Sequence, residues 1–425
     1  MRLTPVGIGP PALSAVLSVS LFTTSCSSPQ NPVEPRRPEL AAVAAVALTD
    51  LGTLGGDHSE AWAINARGQV AGVSTTATGE RHAFFWDGAL RDLGVLKGGT
   101  FGSAFIALND AGQVAFTSTV ASGEVHAVLW DGTTLHDLGT LGGDYSEAAA
   151  INPAGQVVGF SRTAAGGFEF HAFLWDRGAL RDLGTGAARA INARGQVTGS
   201  VASHAFLWDG RALIDLGALE GGTSVGTVIN ERGQVGGCSS IASGTSHAFL
   251  WEGATMQDLG AVGGDDWQGD ASQWFSCATA VNARGRVAGF TAGYFAWQER
   301  AFVWDGTTMR SLGTLGGSDS HAMAMNERGE VVGQAALPSS TCYDYEPGCH
   351  AFLWDGSTML DLGSLGSGPS VALAVNARGQ VAGWSAPDNL HSGAPIHAVL
   401  WTVRTPSVAA LTAREGDVVV GQLLP

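Results

Sequence analysis

One string recurs along the whole chain and decides what it can fold into. HAFFWDG at His82 returns as HAVLWDG at His126, HAFLWDR at His171 and HAFLWDG at His204. It continues as HAFLWEG at His247, RAFVWDG at Arg300, HAFLWDG at His350 and HAVLWTV at His397, a mean step of 45 residues. Two further signatures keep that period. DLGTLGG starts at Asp50 and recurs in variants at Asp92, Asp137, Asp182, Asp215, Asp258, Ser311 and Asp361. A-I-N-x-x-G-Q-V carries its Asn at positions 65, 109, 152, 192, 230, 282, 326 and 376. Units of this length cannot bury both of their faces alone and must stack on their neighbours.

Each unit reads as four strands. In the first, strand A is SEAWAIN (Ser59 to Asn65), strand B is GQVAGVS (Gly68 to Ser74), strand C is HAFFW (His82 to Trp86) and strand D is ALRDLG, ending at Gly94. Gly68 supplies the positive φ that a bulged A–B turn needs, and Asp87-Gly88 reads as a two-residue hairpin between C and D. Four antiparallel strands in about 40–50 residues match a propeller blade better than a turn of an open β-solenoid. The Ala-rich strand A suits the innermost position, where blades converge. A lone strand D (Val46 to Leu51) precedes the first unit, and the last HAF segment has no DLG after it. The N-terminal strand is therefore expected to pair beside His397 to Trp401 and close an all-β propeller of eight four-stranded blades. Ser407 to Gly421 looks like a decayed ninth A–B hairpin and has no place in that scheme.

Composition agrees. Charged residues are 14% of the 425, against about 25% in ordinary soluble proteins, and 61 residues are Gly. Few charges and many glycines describe short buried strands joined by tight turns. No stretch sustains a helical period. The net charge of −16 repels phosphate backbones, which argues against a nucleic-acid partner, and it disfavours anionic lipid as well.

The N-terminus reads as a targeting segment. Arg2 precedes an apolar run, Ala12 to Leu21, and Thr23-Thr24-Ser25-Cys26 follows. Small residues before a lone Cys are similar to a bacterial lipobox, with Cys26 the lipidated residue; Thr23 stands where such signals favour Leu. Ordinary secretion is the other reading. Residues 1–26 are thus a signal peptide, and 27–43, rich in Ser and Pro, an extended tether. Residues 44–421 form a single repeat domain, and no later apolar run is long enough to span a bilayer.

With HAF-x-W-D-G, DLG-T-L-G-G and A-I-N-x-x-G-Q-V in eight copies from Ala44 to Gly421, the chain resembles the HAF family of extracellular bacterial repeat proteins. The resemblance implies a secreted or surface-attached bacterial protein. It implies no enzymatic activity.

Residues repeated in every unit are read as structural: the HAF His bonding a neighbouring loop, the HAF Trp packing between blades, and the Asp of DLG and Asn of A-I-N satisfying turn backbone. Catalysis needs one asymmetric constellation, so departures from the consensus carry the information. The D–A and B–C loops should share one face, and all four tyrosines (Tyr145, Tyr294, Tyr343, Tyr345) fall in them. The sixth unit departs most, with an extended GGDDWQGDASQWFSC, a B–C loop TAGYFAWQE, and Arg300 in place of His. These loops gather Asp265, Asp266, Trp267, Asp270, Trp274, Tyr294 and Trp297 into a candidate ligand site. Rings stack on apolar faces while carboxylates accept hydrogen bonds, which suits a carbohydrate or peptide. Two long loops packing on each other would explain the same residues. A hydrolase or lyase cutting an extracellular polysaccharide with these carboxylates is the rival function. No familiar catalytic or phosphate-binding motif, no metal-ligand spacing and no cofactor fingerprint is found.

Four cysteines remain after Cys26, in a compartment that permits disulfides. Cys342 and Cys349 share one B–C loop. Repeat register puts Cys238 at the end of strand B in the fifth unit and Cys277 at the start of strand A in the sixth, on the same rim. Cys342–Cys349 and Cys238–Cys277 are the expected pairs.

Overall fold

The structure, a computed structural model, describes residues 45–102, 105–262, 274–293, 298–342 and 348–404. The expected signal segment with Cys26, the expected tether and the expected hairpin at 407–421 lie outside the described residues.

The described chain is all-β. Its strands form antiparallel meanders in the order A-B-C-D, six of them separate four-stranded sheets. The third and fourth units are joined into one seven-stranded sheet, because strand D of the third runs without interruption into strand A of the fourth as Ala179–Ile191. The sheet of the eighth unit takes its outer strand from the other end of the chain. Ala45–Gly52 pairs antiparallel with His397–Arg404, with Leu48 opposite Trp401 and Asp50 opposite Val399. This is the pairing expected from the offset of the repeat.

The core lies between sheets. Alternate side chains of a strand face opposite ways, so each sheet offers one apolar face to the unit before it and one to the unit after. Eight apolar clusters result, each bridging two consecutive units; one joins Ala382, Ala398 and Leu400 of the eighth to Ala61, Val70 and Phe84 of the first. The HAF Phe is fully buried in six units, from Phe84 to Phe352. Opposite it in strand B stands a Gly, as in Gly72 opposite Phe84. The second unit inverts the pair, with Phe116 opposite Val128, and its strand A shrinks to Ala107–Leu108.

The repeated polar residues tie the units together. Each A-I-N Asn caps its own turn: Asn65 Oδ1 accepts from the backbone N–H of Arg67 and Gln69, with Gly68 at φ +83°. Its amide donates to Gln69 and to the carbonyl of Asn109 in the next unit. The same interunit bond recurs at Asn109, Asn152, Asn192, Asn230 and Asn326, at 2.8–3.1 Å, and Asn376 donates back to Asn65. Asn282 is the exception. Arg286 replaces the Gln there, and the buried Asn282 amide has no partner among the described residues.

The HAF His bonds within its own unit. Its Nδ1 meets the DLG Asp of strand D, as in His247–Asp258 at 3.0 Å, and His397 reaches Asp50 at 2.8 Å. The Asp also accepts the N–H of the Gly two residues on. At Asp215 these two bonds, His204 first, hold the carboxyl below its usual range. At Asp258 burial pushes the carboxyl up, but His247 and Gly260 outweigh it and the net shift is downward. The C–D turn of the first unit differs from expectation, since Trp86 pairs with Leu90 and leaves three residues, whereas Asp176 with Ala179 and Glu252 with Thr255 close two-residue turns. In the second, fourth, sixth and seventh units the Asp that opens this turn caps its backbone. Asp305 accepts the N–H groups of Thr308 and Thr307 and the Thr307 hydroxyl, which lowers its carboxyl to about 2.

Candidate functional site

The two ends of the units are chemically different. One end repeats the Asn-capped turn. At the other, the D–A and B–C loops of a unit lie side by side, as where Gly143 donates to the Arg162 carbonyl and Gly317 to that of Ala336. Variation in sequence concentrates on this second face, which is where a rigid scaffold carries recognition residues.

In the third unit this face holds a group that sequence reading identified only through Tyr145. Glu147, the second residue of strand A Ser146–Ile151, is 4% exposed. Tyr145 donates its hydroxyl to Glu147 Oε2 at 2.5 Å, while Oε1 has no partner among the described residues. Burial, and then the Glu147 carboxylate, push the Tyr145 phenol well above its ordinary value. Phe160 and Phe170 pack on the Tyr145 ring, and the Arg162 guanidinium lies over Tyr145 and Phe170 at 5.5 and 5.2 Å. A buried carboxylate with one oxygen lacking a partner holds unused acceptor capacity just beneath this face. In the first unit Glu60 occupies the same register but is closed off by His58 and Trp62, at 2.7 and 3.0 Å.

The sixth and seventh units meet around Arg300, 9% exposed, which donates to the carbonyls of Ser318 and Glu299. Its usual partner is gone too, since Ser311 stands where other units have Asp. Beside it, His321 bonds Glu299 at 2.6 Å and stacks on Phe290 at 4.0 Å. Asp265, Asp266, Trp267, Asp270, Tyr294 and Trp297, the remainder of the proposed aromatic–acidic cluster, lie outside the described residues, as do Tyr343 and Tyr345. Trp274 is described, and it lies in a strand rather than in the D–A loop. It opens strand A of the sixth unit, Trp274–Val281, opposite Gly293, and is 2% exposed. The strand begins two residues earlier than the repeat register indicates, with Gly293 as the register partner of Trp274.

Both disulfides are present: Cys238–Cys277 with Cα atoms 4.8 Å apart and Cys342–Cys349 at 5.0 Å. The first joins the fifth unit to the sixth across the loop-rich rim.

Two grooves of about 290 and 360 Å³ lie on the opposite face, one lined by Gln156, Arg181 and Trp208, the other by Gln234, Gln257 and Trp304. They occupy equivalent positions between successive units, so they belong to the architecture and not to one site. No group of three or more potential metal ligands occurs among the described residues, and no described helix is long and apolar enough to cross a membrane.

No family model matches the chain, and no curated protein matches it. Among solved structures it is similar to the β-propeller domain of the Trilobed protease from Pyrococcus furiosus, at 10% identity over 72% of this chain and 98% of that one, with a TM-score of 0.47. It is also similar to the BP39L lectin from Burkholderia pseudomallei, at 10% identity over 75% of this chain and 98% of that one, with a TM-score of 0.36. At this level of likeness neither neighbour's activity transfers to this chain.

Proposed function

We propose that the chain is an exported, lipid-anchored member of the HAF-repeat proteins, a closed β-propeller of eight four-stranded blades. It acts as a non-enzymatic binding protein for a carbohydrate or peptide through its loop-rich face. The observation that carries the reading is the asymmetry of the two faces. One repeats a single Asn-capped turn, while the other collects the unit-specific groups, Glu147 with Tyr145 and Arg162 above all. Each described carboxylate there is held by neighbours in its own or the adjoining unit, an arrangement that presents acceptors singly and suits recognition better than paired acid–base chemistry. The pairing of Ala45–Gly52 with His397–Arg404 and the bond from Asn376 to Asn65 support eight blades and closure. The acidic charge disfavours nucleic acid, and contact with the membrane is assigned to a lipid on Cys26 alone.

A glycan and peptide array probed with residues 45–404 should give discrete hits that Glu147→Gln weakens about tenfold. No hits on either array would overturn the binding reading, and cleavage of an arrayed glycan would replace it with the hydrolase or lyase. For the anchor, Cys26→Ser should move the protein from the membrane fraction to the soluble one. Unchanged fractionation would sink the lipid.

A further inference from the structure

We infer that a recess on the loop-rich face, where the fourth, fifth and sixth units meet, binds a carboxylate-bearing sugar, with Arg189 holding the carboxylate. The inference rests on the reading of this face as the binding face and names a ligand class for one place on it.

The recess exists because the fourth unit is short at that rim. From Asp182 to Asn192 is 10 positions, whereas the same interval spans 15 from Asp50 to Asn65 or from Asp215 to Asn230. The missing residues are those of the D–A loop, which is why Ala179–Ile191 is one strand. The B–C connection is short as well. Val201 pairs with His204 across Ala202 and Ser203 alone, both at positive φ (50° and 71°), as a tight hairpin turn requires. In the fifth unit five residues separate Ser240 from its partner Ser246. Side-chain volume drops in step. The facing pair at this level is Ala187 and Ser200, against Glu147 and Phe160 in the third unit and Cys277 and Phe290 in the sixth.

What remains is an open recess of about 440 Å³ with Arg189 exposed at its edge, within the range of about 300–1,000 Å³ usual for small-ligand sites. Its polar lining includes Arg189, Ser200, Ser203, Ser240 and Ser246, together with Thr223 and Ser224, and Phe275 forms one apolar side. The Cys238–Cys277 bridge ties together the two units whose residues form that side. Arg189 stands three positions before the A-I-N Asn, where the other seven units have Trp, Ile, Ala, Thr, Thr, Met and Leu. It makes no ion pair or hydrogen bond among the described residues, and neither do the hydroxyls of Ser200, Ser203 and Ser246.

An unengaged guanidinium amid unengaged hydroxyls is complementary to a planar anion on a polyhydroxylated ring. A guanidinium takes a carboxylate in a two-pronged pair, serine hydroxyls both donate to and accept from sugar hydroxyls, and a phenyl ring packs on the C–H face of a pyranose. A phosphate or sulfate dianion would call for a second cation, and the lining holds one. The net charge of −16 also disfavours a dense polyanion.

The test titrates the full mature chain with di- and trigalacturonate, and with the same oligosaccharides carboxyl-reduced to neutral sugars, by calorimetry. The uronates should bind on the order of tenfold or more tighter than the neutral sugars, and Arg189→Ala should abolish that difference. Ser200→Phe, which restores the bulk found in the third unit, should block binding sterically while leaving the melting midpoint unchanged, so the result does not depend on one variant. Equal affinity for charged and neutral sugars, or uronate binding untouched by both variants, would overturn the inference while leaving the face a binding face. No binding to these sugars, with array hits elsewhere that Glu147→Gln weakens, would do the same. No binding to anything would remove both.

Discussion

A chain lacking residues 45–52 is expected to lose cooperative folding throughout the repeat domain, not merely to fray at one end. The segment is the outer strand of the eighth unit's sheet, and its removal leaves His397–Arg404 as an unpaired edge. It also strips Leu51 from the cluster joining the eighth unit to the first, and Val46 and Leu48 from the one joining the seventh to the eighth. A buried Leu truncated to Ala costs about 2–5 kcal/mol, and whole domains are stable by only about 5–15 kcal/mol. The His397–Asp50 bond is lost with it. Thermal unfolding followed by far-ultraviolet circular dichroism reads the effect. A single transition within a few degrees of the full-length midpoint would show that the domain does not depend on joining its two ends. Asp50→Ala is the milder control, removing the carboxylate while keeping the strand.

The strand plan was legible because the sequence repeats it. Period, turn glycines and the offset of DLG against HAF are local features, and eight copies average out the ambiguity of any one. Interunit contacts were harder to read. The A-I-N Asn was assigned to its own turn, which it does cap, but its amide also bonds a carbonyl 44 positions away from Asn65, and no local pattern encodes that curvature. In retrospect the Gln four residues on was the signal. Where it becomes Arg286 the relay fails at Asn282, and where it becomes Glu330 the bond from Asn326 survives because a carboxylate still accepts. Trp274 was placed in a loop because long insertions were equated with loops, although a strand can extend into an insertion, as Trp274–Val281 does. The Arg189 recess escaped notice for the opposite reason: its signal is residues that are missing. Both disulfides were readable, since register places each pair on one rim without knowledge of side-chain packing.

The pairing of strand-B Gly with HAF Phe leaves no room for substitution on either side. Phe84→Ala removes a fully buried ring from the cluster shared by the eighth and first units and is expected to cost about 3–5 kcal/mol. Gly72→Ala should also destabilise, by about 1–3 kcal/mol or more, although it adds only a methyl group. A Cβ at Gly72 would fall on the Glu60 carbonyl oxygen, well inside contact distance, and would meet the Phe84 ring at 2.7 Å. The ring can yield and the carbonyl cannot, because strand A is held at Ala61 opposite Gly72 by the A–B ladder. This separates two explanations of the Gly. If the ring alone demanded it, Gly72→Ala combined with Phe84→Val, the residue type the eighth unit has at Val399, would be no less stable than Phe84→Val alone. The carbonyl predicts instead that the Gly72→Ala penalty persists nearly whole in the double variant. The second unit is the natural control: it carries Phe116 in place of the Gly, and among the described residues no strand-A residue there is paired opposite Phe116. Urea midpoints of the two single variants and the double variant decide between the explanations, and full recovery in the double variant would sink the carbonyl account.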